Sequence, residues 1–254
     1  MGRAENTAIS SRKGRRPRSL SEATVPSKPK TEGSEFLREQ IYVRLCDALR
    51  SGQFSPGEKI TIRALAAVEG MSPTPVREVL YRLVADGVLE AEANRSARVP
   101  LLTSEQIQEL RDIRLAVETL AAERAAARAS PALGQELRKI AIELTTARER
   151  GDIITDLSKV YEFQFTLYRA SQMPALLKII EALWLRTGPY LKLLFPHYVV
   201  STAARRGDWR ERICAAVERG DCQSVRNEIE QDLAETLGYV AEIVAASNLL
   251  RRRN

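Results

Sequence analysis

Hydrophobic residues return at helical spacing along most of the chain, which predicts a protein made mainly of α-helices. Leu37, Ile41 and Leu45 fall on one helical face, and a second apolar stripe runs from Val76 to Leu83. From residue 103 onward the helical period persists with almost no alternating pattern of the kind that predicts strands. The expected fold class is therefore mainly α.

Residues 36–101 carry the one part of the chain in which a strand signal follows helical ones. Ser72 suits the start of a third helix, and Gly87 is a natural end for it. Short apolar runs at 88–91 and 97–101 predict two strands joined by a turn. Three helices and a hairpin in this order predict a winged helix-turn-helix domain.

Residues 102–249 form the second predicted domain, and it is all helical. Thr103 followed by Gln106 matches a capping box, which predicts that a helix begins there. Proline and glycine then divide the helical pattern into segments at 104–129, 131–149, 152–171, 173–195, 208–219 and 222–249.

The excess of positive over negative charge lies at the two ends of the chain. Residues 1–35 hold eight Lys/Arg against four Glu, a net charge of +4, and contain few large apolar side chains, which predicts a disordered basic leader. A basic tail occupies residues 250–254. Three cysteines without a CxxC pair, and apolar runs far shorter than a membrane span, indicate a cytoplasmic protein with no membrane partner.

The predicted helix-turn-helix places polar groups where a reading helix meets DNA. Ser72 and Thr74 offer hydroxyl groups at the helix start. Pro73 and Pro75 are tolerated in the first turn, because an N–H group at these positions would have no partner within the helix. Arg77 lies one turn further on, within reach of a base edge or a phosphate. These five residues are predicted to contact double-stranded DNA.

Three more arginines flank this helix at positions that suit DNA contacts. Arg63 begins the preceding helix, and Arg95 and Arg98 belong to the predicted hairpin, where a wing meets the minor groove. One exposed arginine is usually only solvated, but the order and spacing of the whole set favour a DNA-binding function.

The segment from Leu65 to Val99 resembles the winged helix-turn-helix of the GntR superfamily. The later helices around 109–118 and 163–171 resemble the helical FCD-like domain of its FadR-type branch. The resemblance implies a transcription regulator with a C-terminal ligand-binding domain. Pro73 replaces the arginine usual in the family, and the wing around Asn94 lacks the usual glycines, so a divergent operator is expected.

Many members of the resembling family hold a divalent metal with an Asp and three His. The corresponding positions here are Val160, Gln164, Arg210 and Asp232, and none of the three His positions holds a histidine. Zinc and similar ions prefer imidazole or thiolate ligands, so neither a transition metal nor another cofactor is expected.

The substitution at position 210 predicts a different way of binding an effector. Arg210 can hold the carboxylate of a small organic acid directly, with Gln164 and Arg114 as neighbours and Asp232 balancing charge. Two other interpretations remain open. Arg210 and Asp232 can form an internal ion pair around an empty cavity, and Arg114 can pair with Glu118 one turn away.

The sequence thus predicts a homodimeric, effector-responsive repressor rather than an enzyme. Neither a nucleophile-plus-base arrangement nor a phosphate-binding glycine loop is present in the sequence. The alternatives are a constitutive DNA-binding regulator without an effector and a metal-dependent carboxylate sensor.

Overall fold

A computed structural model describes residues 31–92, 96–195 and 197–251. Most of the predicted leader, the wing tip with Asn94 and Arg95, and residues 252–254 of the predicted tail lie outside these ranges. None of the described helices combines the length and apolarity needed to cross a membrane.

The N-terminal part consists of three helices and three short strands. In chain order they are α1 (Thr31–Arg50), β1 (Lys59–Thr61), α2 (Ile62–Glu69), α3 (Pro73–Ala85), β2 (Glu90–Glu92) and β3 (Ser96–Arg98). The strands form an antiparallel sheet in the order β1-β3-β2, with Ile60 and Ala91 both opposite Ala97.

The helix-turn-helix is set by local signals that the sequence shows. Thr61 caps α2 by accepting a hydrogen bond from the Ala64 N–H, and Gly70 ends α2 in the left-handed conformation (φ 64°). Ser72 is the N-cap residue of α3, with Pro73 at the first helical position. The chain therefore turns sharply between α2 and α3.

The hairpin is shorter than predicted, and it has a third strand that was not predicted. Val88 and Leu89 are not strand residues, because both N–H groups bond to the Leu83 carbonyl and so close the end of α3. The added strand β1 was missed because three residues are too few to show an alternating pattern.

The C-terminal part is all helical. Its helices are α4 (Ser104–Ala126), α5 (Pro131–Glu149), α6 (Ile153–Arg169), α7 (Pro174–Leu191), α8 (His197–Arg206), α9 (Trp209–Glu218) and α10 (Cys222–Arg251), with a 3-10 turn at Lys192–Leu194. Both hydrogen bonds of the predicted capping box at Thr103 and Gln106 are present. Helix α8 was not predicted.

Two apolar cores meet at α7. One core lies among residues 41–99 and takes in Leu185 of α7, while the other extends from Leu102 to Val244. The predicted division into 36–101 and 102–249 stays a prediction, and the side chain of Leu185 crosses it. The two parts of the chain therefore share a packed boundary.

Candidate functional site

The start of α3 presents the predicted DNA-contacting residues on one surface. Ser72, Pro73 and Thr74 are exposed there, whereas Pro75 is buried beneath them. The Ser72 side chain makes no capping hydrogen bond, so its hydroxyl is not used by the helix itself. This leaves the Ser72 and Thr74 hydroxyl groups on the exposed surface at the start of α3.

Arg77 and Arg63 flank that surface. Arg63 is exposed at the second residue of α2. Arg77 is half-buried, and its Nε atom is buried without a hydrogen-bond partner among the described residues. A guanidinium group in this state is available to an incoming phosphate or guanine.

Arg98 is tied into the sheet instead of pointing freely outward. Its Nε donates to Glu92 Oε1 at 2.7 Å and its NH1 group donates to the Gly57 carbonyl at 2.8 Å. Lys59 also pairs with Glu92 at 2.8 Å, and the two cations lower the pKa of the Glu92 carboxyl to about 2. The structure thus gives Arg98 a role in holding the three strands together, and contact with DNA stays a prediction.

A cavity of about 610 Å³ lies inside the C-terminal helices. Arg114, Gln164, Arg210 and Asp232 all line it, although they come from α4, α6, α9 and α10. Val160 lines it as well, one turn before Gln164 on α6. The structure brings every predicted effector contact to one cavity, and their binding role stays a prediction.

Among the described residues that line the cavity, Arg210 is the arginine that forms no ion pair or hydrogen bond with a carboxylate. Within the described part of the chain its guanidinium makes no hydrogen bond or ion pair, and it stacks on the Trp209 ring with 4.2 Å between Cζ and the ring centroid. Burial lowers the pKa of Arg210 to about 10, and the charge of Arg148 adds to this effect. Asp232 and Asp156 attract this guanidinium without forming an ion pair with it, so its hydrogen-bond donors remain available to an anionic ligand.

Asp232 lines the same cavity but is not an ion-pair partner of Arg210. Its carboxylate accepts a hydrogen bond from Gln164 Nε2 at 3.4 Å and lies 3.6 Å from Arg206 NH1. Burial raises the pKa of Asp232. The internal Arg210–Asp232 ion pair that the sequence left open is not formed.

Arg114 is held by the protein, as its spacing to Glu118 suggested. Its Nε lies 2.5 Å from Glu118 Oε1, and its NH1 donates to Thr187 Oγ1 at 2.8 Å. Tyr168 and Trp184 both donate to Glu118 Oε2, at 2.9 and 3.1 Å. This satisfied, fully buried network forms a rigid wall of the cavity.

Two cavity arginines on α5 were missed by the sequence reasoning. Arg148 forms two hydrogen bonds of 2.9 Å with Asp156, and Arg138 binds Glu211 and Glu218. Nothing in their local sequence separates them from ordinary surface arginines on an amphipathic helix. Only the packing of α5 against α6 and α9 reveals their place.

The carboxylates that line this cavity do not gather into a metal site among the described residues. The described residues contain no cluster of three or more His, Cys, Asp or Glu able to hold a metal ion. The donors at the four positions compared with the resembling family are a valine, an amide, a guanidinium and a carboxylate, a set that does not fit a transition metal.

Comparisons with known proteins match both halves of the chain. The model of bacterial regulatory proteins of the gntR family matches residues 37–99, and the FCD domain model matches residues 109–235. The HTH-type transcriptional regulator McbR of Escherichia coli (strain K12) is 35% identical over 156 residues, 61% of this chain and 71% of McbR.

Two further similarities cover more of the chain. The solved structure of E. coli McbR/YncC has a TM-score of 0.76 at 28% identity, covering 81% of this chain and 97% of that one. A protein of Paenarthrobacter nicotinovorans, named as a probable D-xylose utilization operon transcriptional repressor, is 26% identical over 220 residues, 87% of this chain and 94% of that protein.

Proposed function

Because the chain belongs to the gntR family of bacterial regulatory proteins and carries an FCD domain, we propose that it is a repressor that releases operator DNA when a small organic acid enters its C-terminal cavity. It is a DNA-binding transcription regulator and not an enzyme. The proposal concerns the sign of regulation, the effector and the oligomeric state.

The unpaired guanidinium of Arg210 is the observation that supports an acid effector. A carboxylate binds the planar fork of an arginine through two parallel hydrogen bonds. Gln164 Oε1 is a buried acceptor without a partner among the described residues, so a hydroxyl on the acid would find a place beside it. Ligand binding would thus satisfy groups that the protein leaves unsatisfied.

Helix α7 supplies a physical route from the cavity to the DNA-binding domain. Trp184 lines the cavity, and the adjacent Leu185 is buried in the N-terminal core. An effector changes DNA affinity only if it favours one arrangement of the two domains over another. A ligand that moves Trp184 would also move Leu185, because both sit on one rigid helix.

A homodimer and repression are the remaining parts of the proposal. A two-fold symmetric dimer would present two copies of α3 to the half-sites of a pseudo-palindromic operator. The P. nicotinovorans relative is named as a repressor, which favours the same sign of regulation here.

The test is a DNA-binding titration by fluorescence anisotropy, at one stated salt concentration. The labelled DNA is the region upstream of the protein's own gene, and the ligands are a panel of small mono- and hydroxycarboxylates. We expect sequence-preferring binding that weakens when an active acid is added. For Arg210→Gln we expect about 10- to 100-fold weaker acid binding, because a charge-assisted hydrogen bond contributes about 1.5–3 kcal/mol.

Arg186→Gln is the matched control, since Arg186 is exposed on α7. Arg210→Gln should still fold, because Arg210 forms no hydrogen bond or ion pair within the described part of the chain, and thermal unfolding checks this. Operator binding that no acid alters would instead indicate a constitutive regulator. An acid response that requires added divalent metal would indicate a metal-dependent sensor.

A further inference from the structure

Among the described residues, the cavity offers one arginine that no carboxylate binds, and this limits the charge of its ligand. Arg114, Arg138 and Arg148 also line it, but each is already bound to a carboxylate of the protein. Among the described lining residues, Arg210 is the arginine without such a partner. A second carboxylate on the ligand would meet no free cation, so the charge balance favours a single anionic group.

An apolar wall closes another side of the cavity. It is built by Leu191 at the end of α7, by Leu194 and Phe195 at the 3-10 turn, and by Val199 of α8. Leu157 and Val160 of α6 extend it. Placing methylene or aromatic groups of a ligand against such a surface is favourable, because it removes apolar area from water.

The volume of the cavity is larger than a three-carbon acid needs. About 610 Å³ lies within the range of about 300–1,000 Å³ that is typical of pockets for drug-sized ligands. Pockets of this size hold ligands with a substantial apolar body. A very small acid would leave the apolar wall in contact with water.

From these three observations we infer that the effector is an amphipathic monocarboxylate, with its carboxylate on Arg210 and an aliphatic or aromatic body of about six or more carbons against the apolar wall. The inference rests on the proposed function, because it names the ligand class of the same cavity. The proposed function requires only an acid group on the effector, whereas this inference requires a long apolar body as well.

The experiment is calorimetric titration of the full chain with straight-chain acids from propanoate to octanoate, and with octanedioate. Each buried methylene should tighten binding about fourfold, the equivalent of about 0.8 kcal/mol. Octanoate should therefore bind at least tenfold more tightly than propanoate. Octanedioate, which has the same carbon count but a second charge at the apolar end, should bind at least tenfold more weakly than octanoate.

Two variants make the result specific to this cavity. Val199→Phe places a larger side chain in the space beside the apolar wall. It should weaken octanoate binding at least tenfold and leave the affinity for short acids nearly unchanged. Arg210→Gln should weaken all of the acids, and octanoate binding that survives in it would be adventitious association with apolar surface. Thermal unfolding of both variants checks that they fold.

The outcomes distinguish a failure of this inference from a failure of the proposed function. Equal binding across the series, or tighter binding of octanedioate, would overturn the amphipathic monocarboxylate while leaving an Arg210-dependent acid sensor in place. No binding of any acid by the parent protein would overturn both. An unchanged octanoate affinity in Val199→Phe would contradict the assigned apolar wall.

Discussion

Some arginines of this protein are bound by its own carboxylates, and others remain available to a ligand or to DNA. Arg98 and Arg114 are equally plausible as ligand contacts in the sequence, yet both are bound by carboxylates of the protein itself. Arg77 and Arg210 retain guanidinium atoms without protein acceptors. The chemistry of an arginine here depends on its neighbours rather than on its residue type.

Arg77→Ala should weaken operator binding about 10- to 100-fold, because one arginine contact to a base or phosphate contributes about 1–3 kcal/mol. Lys178→Ala on the exposed surface of α7 is the control, and it should leave the affinity unchanged. Anisotropy at two or more salt concentrations measures both variants and shows whether the contact is to phosphate or base. An unchanged affinity for Arg77→Ala would remove this residue from the DNA-binding surface.

At the scale of elements, α7 is the helix that joins the two cores. Gly188 lets it approach α1 closely, since a Cβ atom at this position would lie 2.7 Å from the Leu49 carbonyl oxygen and 2.8 Å from the Arg50 Cα. Tyr190, two residues on, accepts from the Leu102 N–H at 2.6 Å and donates to the Pro100 carbonyl at 2.8 Å. The helix thus fixes both α1 and the connection into α4.

Gly188→Ala should destabilise the protein by about 1–3 kcal/mol, because the added methyl group meets backbone atoms that cannot rotate away. Gly238→Ala is a matched control in the helix interior of α10, where a Cβ would meet no atom within 4 Å. That control should stabilise the protein by about 0.5–1 kcal/mol. Urea unfolding measures both, and equal stability of the two variants would contradict a close α1–α7 contact.

On the scale of the whole molecule, burial of Leu185 in the N-terminal core couples the unfolding of the two parts. Its side chain is only 5% exposed, although it belongs to a helix of the C-terminal part. Both tryptophans, Trp184 and Trp209, lie in that C-terminal part, so their fluorescence reports on it alone. Circular dichroism at helical wavelengths reports on both parts together.

Leu185→Ala should therefore separate the two transitions. Truncating a buried leucine costs about 2–5 kcal/mol, and here the loss falls on the contact between the parts. Parent protein should show coincident fluorescence and dichroism curves in urea, whereas the variant should show the dichroism signal changing first. Ile179→Ala, at an exposed position of the same helix, should behave like the parent, and coincident curves for Leu185→Ala would disprove the coupling.

The sequence alone determined the features that depend on neighbouring residues. The capped start of α4, the glycine end of α2 and the Ser72–Pro73 start of α3 follow from which side chains satisfy helix-end N–H groups and which residues accept a positive φ. The helical period fixed most of the helices for the same reason, since residues three and four apart share a face. The helix-turn-helix and the mainly α fold were therefore predictable.

Only the tertiary structure decided which charged groups remain available and how the two parts meet. Arg138 and Arg148 reach the cavity, and Arg210 lacks a counter-ion there, because helices distant in sequence pack around one space. The short strand β1 exists because β3 offers it hydrogen-bond partners, not because of its own three residues. The contact of α7 with α1 depends on backbone distances, and no residue pattern encodes such distances.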